Sequence, residues 1–179
     1  LGGELRFSLF ESIRELSAER LAAMPAVAAE MVRRHVDHFA EQGGALSERA
    51  FFQGSEEAAA RLGHELDNVV AAHAAALLEP GPRGASRALA LALAADPLLT
   101  RRGLFRLRLR LLDEAITHDA GAAPAGERTA ALLARGRAQR ELGAMASARA
   151  DFEAGLALAR AHGEARLEAV AHLRIGELV

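Results

Sequence analysis

The residues with the strongest potential for chemistry are histidines. His35 and His38 stand three apart, a spacing that sets two imidazoles on one side of a helix, and Asp37 lies between them. Zinc normally takes three or four protein ligands, and no third histidine is close in sequence. The pair therefore reads as packing or surface polarity. His64-Glu65-Leu66-Asp67-Asn68 begins like the H-E-x-x-H helix of zinc proteases, but Asn68 occupies the place of the second histidine, which removes the metal geometry. No G-x-S-x-G turn sets up a serine nucleophile, and there is no cysteine to supply a thiolate or a disulfide. The expectation is a non-catalytic chain with no metal ligands and no cofactor.

Arginine is the other candidate. Arg101, Arg102, Arg106, Arg108 and Arg110 form the densest run of charge, and every Lys/Arg-type cation in the chain is arginine. Two readings stand side by side: a solvated helix face whose stems cover apolar surface, or an anion-receptive patch for an acidic peptide or a neighbouring domain, since guanidinium forks match carboxylates. The formal net charge of −2 and pI near 6.4 lack the basic excess of a nucleic-acid-binding domain. The longest apolar run, Ala88 to Ala95, falls well short of the roughly 18 residues of a membrane span. No basic stretch followed by an apolar core opens the chain, so no signal peptide is expected. Together with the arginine-only cations, these features fit a bacterial cytoplasmic protein. The start at Leu1 and the stop at Val179 inside a helical pattern read as a segment of a longer polypeptide.

Alanine, leucine and arginine lose little side-chain freedom in a helix and dominate here, so the predicted class is all-α. Leu5 to Leu9 alternates like a half-buried strand. Phe10 to Leu21 then takes helical period, with Phe10, Ile13, Leu16 and Leu21 near one face. Pro25 breaks or restarts the pattern, and Ala26 to Gln42 reads as a helix stopped by Gly43-Gly44. A short helix from Ser47 through Phe52 follows. Ser55 is an expected N-cap, with Glu56 and Glu57 in the first turn, for a long helix to Glu79 whose apolar side includes Leu62, Leu66, Val69 and His73. Pro80-Gly81-Pro82 with Gly84 marks a linker and the expected domain boundary.

Beyond it, self-comparison finds a forty-residue period: Gly103 with Gly143, Leu112 with Phe152, Ala115 with Gly155, Ile116 with Leu156, Leu133 with Leu173 and Gly136 with Gly176. Each unit reads as a helix, a turn at glycine, a second helix and a loop. One helix pair cannot bury its apolar stripe alone, whereas stacking on the next pair does so. Small residues at Gly136, Ala148 and Gly155 should let helices touch, with Phe152 filling the gap. Asp96-Pro97 should interrupt and kink the first helix of the first unit.

The unit from Thr129 to Arg160 resembles a tetratricopeptide repeat, with Leu132, Gly136, Gly143, Ala148 and Phe152 at matching offsets; Gln139 and Arg160 depart from its second aromatic and its closing proline. Arg6 to Leu16 resembles the stretch closing the winged-helix region of STAND-type signalling ATPases. Arg33-Arg34-His35 with Phe39-Ala40 resembles their next helix, and Leu62 to Val69 the helix before their repeats. That resemblance implies a winged-helix end over 1–21, a helical linker domain over 22–84 and a tetratricopeptide-like α-solenoid over 85–179. It implies a protein-interaction or sensor module for signal transduction or transcriptional regulation, in which input binding shifts an autoinhibited state towards an active one. The family's phosphate loop needs a lysine, and this chain has none, so ATP hydrolysis by that machinery is excluded here. Because the first helix of each tetratricopeptide unit lines the concave side, Arg101, Leu133, Arg137, Arg140, Leu173 and Glu177 become the expected groove for a protein or peptide, with no nucleic acid and no membrane. A small-molecule effector sensor and a structural spacer or dimerisation unit are the rival readings.

Overall fold

The computed structural model describes residues 10–178, and among them every regular element is a helix. The strand-like Leu5 to Leu9 lies outside the described residues. The chain falls into two compact units that meet between His35 and Val36. In the first, α1 (Glu11–Ala22) and the opening of α2 (Pro25–Phe51) are separated at the expected proline, which starts the second helix. Phe10, Ile13, Leu16, Val27 and Met31 are exposed. Glu30 pairs with both Arg33 and Arg34 one turn on, which lowers its pKa, the Arg34 hydrogen bond being the largest cause.

The second unit holds the rest of α2 and then α3 (Glu56–Ala76), α4 (Pro82–Arg101), α5 (Phe105–Asp119), α6 (Ala125–Glu141), α7 (Met145–Ala161) and α8 (Ala165–Gly176). The expected stop at Gly43-Gly44 does not occur, and α2 runs unbroken to Phe51, absorbing the short helix at Ser47. Gly43 is instead a buried position within α2, where a Cβ would lie 3.4 Å from Cβ of Ala94 and 3.6 Å from Cγ2 of Val69, ordinary van der Waals contact with α4 and α3. Ser55 does cap α3, accepting the Ala58 N–H at 3.2 Å. That helix ends at Ala76 rather than Glu79, which leaves Leu78 exposed.

Pro82 takes the first turn of α4, where its missing N–H costs nothing. Pro80 and Gly81 end the connection from α3 and Pro82 to Gly84 already belong to α4, all beside one core: Leu62, Val69, Leu89, Leu99, Leu112 and Ala131 belong to one buried cluster. Pro97 lies within α4, which continues through it to Arg101. The Thr100 hydroxyl donates to the Asp96 carbonyl at 2.8 Å just beyond the proline.

Gly103 and Gly143 both sit in the tight turn of a helix pair, α4–α5 and α6–α7, with φ of 70° and 82° that suits glycine. The two turns share their bonds. The N–H of Leu104 reaches the Leu99 carbonyl at 2.9 Å, and that of Ala144 reaches Gln139 at 2.8 Å. The connection between α7 and α8 repeats this geometry at Gly163, with φ 69° and Glu164 bonded to Ala159. Within the second pair, Gly136 faces Phe152 and Gly155 faces Leu133. Phe152 is fully buried in a cluster that also takes in Ala148 and Ala171 of α8. Each helix from α3 onward packs on its successor, and α6 also packs on both α4 and α8.

Candidate functional site

The forty-residue register explains a polar centre that small residues would otherwise fill. Gly136 and Ala148 give the second pair its close approach, and the corresponding positions of the first pair hold Asp96 and Arg108. Arg108 is 1% exposed and Asp96 is equally enclosed, so the two must neutralise one another. Arg108 Nε donates to Asp96 Oδ1 at 2.5 Å, its Nη1 to Glu141 at 2.5 Å and its Nη2 to the Ala134 carbonyl at 3.3 Å. Arg137, on α6, donates to the second Asp96 oxygen at 2.5 Å. One carboxylate of α4 thus holds α5 and α6 together.

The network continues across α6. Arg140 pairs with Glu177 at the end of α8, and Arg174 donates to both Glu177 oxygens at 2.9 and 3.0 Å. These two hydrogen bonds, Arg174's first, hold the Glu177 pKa below the usual carboxylate range. Burial lowers the Arg137 pKa and the Arg108 and Arg174 charges lower it further, against the opposing pull of Asp96 and Glu141. The Nε of Arg174 is buried without an acceptor. Four guanidiniums therefore share three carboxylates across α4, α5, α6 and the end of α8.

The six residues expected to line a groove separate into different places. Arg137, Arg140 and Glu177 come together in this strip, each engaged by an internal partner. Leu133 is buried against Gly155 of α7 and does not line a groove. Leu173, one period later, has no matching helix over it among the described residues and is 59% exposed. Arg101 lies at the far end of α4, where it reaches Glu56 at 3.4 Å. The arginine run is not a uniform solvated face either: Arg106 and Arg110 are exposed, whereas Arg108 turns inward. The signal that could have located it was the repeat register, which places opposite charges where its other copy has glycine and alanine.

On α2, Asp37 is drawn to Arg83 and Arg87 of α4, each at 2.8 Å, so its carboxylate is already spoken for. The Asn68 amide donates to Glu65 at 2.6 Å within the protease-like stretch. His38 meets the neighbouring Phe39 ring edge-on at 4.9 Å. Both face a cleft of about 110 Å³ between α2 and α3, bounded also by Gln42, Leu46, Arg61 and Glu65.

A second histidine site is structural. His73 is 1% exposed, and its Nε2 lies 3.1 Å from the Leu111 carbonyl, which requires the proton on that nitrogen. Burial pushes its pKa down to about 4, with Arg110 and His118 acting in the same direction and the bond to Leu111 opposing. His118 returns the contact from α5, 3.0 Å from the Glu79 carbonyl in the connection that follows α3. Among the described residues no three histidine, cysteine or acidic side chains gather as a metal site, and no helix is long and apolar enough to cross a membrane. The chain matches no protein-family model, and no curated protein or solved structure is significantly similar to it.

Proposed function

We propose that this chain is a non-catalytic protein-interaction module, built as a tetratricopeptide-like α-solenoid within a STAND-type signalling ATPase. One observation carries the repeat reading: turns forty residues apart, at Gly103 and Gly143, share the same conformation and hydrogen bonds, while α6 packs on both α4 and α8. Such stacking leaves one side of successive first helices as a continuous strip, a surface suited to an extended peptide. The family assignment rests on the ordered resemblances from Arg6 to Val69, and the parent's regulatory role follows from that family. Input bound on the strip would bias the switch between inactive and active states.

The experiment is selection of a displayed peptide library on the folded chain. Enriched peptides whose binding is lost in Arg140→Glu, but retained in Arg149→Glu on α7, support the strip. Absence of enrichment, or equal loss in both variants, rejects it. The rival reading, a small-molecule effector sensor, draws on the cleft between α2 and α3, whose volume of about 110 Å³ is small beside the roughly 300–1,000 Å³ of typical ligand pockets. Fragment screening by NMR tests it: shifts grouped at Gln42 and Arg61 support the sensor, and shifts elsewhere reject it.

A further inference from the structure

We infer that α8 is a self-association surface, on which a second copy of this chain lays its own α8 antiparallel, with Leu173 of each copy seated on Gly176 of the other. The contact between α6 and α7 supplies the template. α6 carries Leu133-Ala134-Arg135-Gly136 and α7 carries Phe152-Glu153-Ala154-Gly155, each a bulky residue followed three positions on by glycine. The two helices run antiparallel, so the bulky residue of each falls on the glycine of the other. Cδ1 of Phe152 lies 2.7 Å from where a Cβ of Gly136 would stand, and Cδ2 of Leu133 lies 3.1 Å from that of Gly155. A motif that meets its own kind reciprocally is self-complementary, as a two-fold contact between identical chains requires.

α8 carries the motif again as Leu173-Arg174-Ile175-Gly176, in the forty-residue register of α6. Among the described residues nothing covers it. Leu173 is 59% exposed, and no atom stands within 4 Å of a Cβ built at Gly176. The residues between them are engaged elsewhere: Ile175 packs with Leu167, Val170 and Leu178 on the cluster around Phe152, and Arg174 donates to Glu177. Glu177, which flanks Gly176, is also paired with Arg140, so its charge is offset before a second copy approaches. The knob and the hole that a partner must supply therefore both belong to α8 itself. One pair of short helices buries less than the roughly 1,200–2,000 Å² of a standard interface, so the dimer should be weak, with a Kd on the order of 100 μM. Self-association by this contact requires no peptide ligand.

Sedimentation equilibrium of the chain, at concentrations spanning that Kd, should show monomer and dimer in exchange. Leu173→Glu should weaken dimerisation by about tenfold or more, while Met31→Glu, at an exposed apolar position of α2, leaves it unchanged. Gly176→Leu separates a fitted contact from general stickiness, because it adds apolar surface yet fills the hole; it too should weaken the dimer. The open space at Gly176 lets that variant keep its fold, and circular dichroism with the melting temperature checks this for each variant. The chain has no cysteine, so orientation can be read from disulfides. A mixture of Leu173→Cys and Gly176→Cys chains should cross-link to one another in preference to themselves. A chain that stays monomeric throughout overturns the inference. So does a dimer strengthened by Gly176→Leu, one lost in Met31→Glu and kept in Leu173→Glu, or Leu173→Cys cross-linking chiefly to itself.

Discussion

Arg108 carries the heaviest demand of any single side chain, since its charge is sealed inside the helix stack. Replacing it with methionine strands Asp96 with Arg137 alone and should cost about 3–5 kcal/mol in urea unfolding. Replacing both members, Asp96→Leu with Arg108→Met, removes the buried pair together and should cost less than Arg108→Met by itself. A double variant less stable than the single one would show that the pair is more than mutual neutralisation. His73 gives the pH counterpart. Its folded pKa lies below its unfolded value of about 6.5, so protonation favours the unfolded chain. The stability it confers is complete above about pH 6.5 and falls as pH drops towards 4, by on the order of 3 kcal/mol. His73→Gln should flatten that part of the stability profile, and an unchanged slope would rule the histidine out as its source. At this scale the sequence was half legible. The apolar period placed His73 inside, but the charge run by itself did not separate Arg108 from Arg106 or Arg110; only the register with Ala148, forty residues on, singles it out.

Among the elements, α4 and α8 are opposites. Eleven of the twenty residues of α4 are buried, whereas Ala171 is the only buried residue of α8. Amide exchange in α8 should therefore be faster than in the middle of α4 by more than an order of magnitude, since local opening exposes far less apolar surface; equal protection in the two helices would contradict the packing. The glycines divide in the same manner. At Gly136 a Cβ would sit 2.7 Å from Cδ1 of Phe152 and closer still to Cε1, so Gly136→Ala should destabilise by about 1–3 kcal/mol despite better helix propensity. Gly176 meets nothing within 4 Å, and Gly176→Ala should be neutral or stabilise by up to about 1 kcal/mol. Melting temperatures moving in the same direction for both would contradict the packing difference between them, the Phe152 ring lying against Gly136 and nothing lying against Gly176. Helix existence and the Ser55 cap were readable from local chemistry, because a cap and an apolar period are properties of neighbouring residues. Gly43 was misread as a stop for the opposite reason: it is buried within α2 beside Ala94 and Val69, neighbours distant in sequence.

At the scale of the whole molecule, the forty-residue period was the most informative signal, because it reports on contacts that local propensity cannot see. It placed the turns at Gly103 and Gly143 and the meeting of Gly136 with Phe152. It did not foresee that Leu133 would be covered and Leu173 bare among the described residues, since the burial of Leu133 depends on its contact with α7. The shared turn has a consequence for how such a chain can change length. Because Leu142 leads into Gly143 with the conformation that Arg102 gives Gly103, a second copy of residues 103–142 spliced after Leu142 would begin and end on an existing corner. Growth by whole blocks then demands no new hinge, and only the side chains on the freshly apposed faces have to be reconciled.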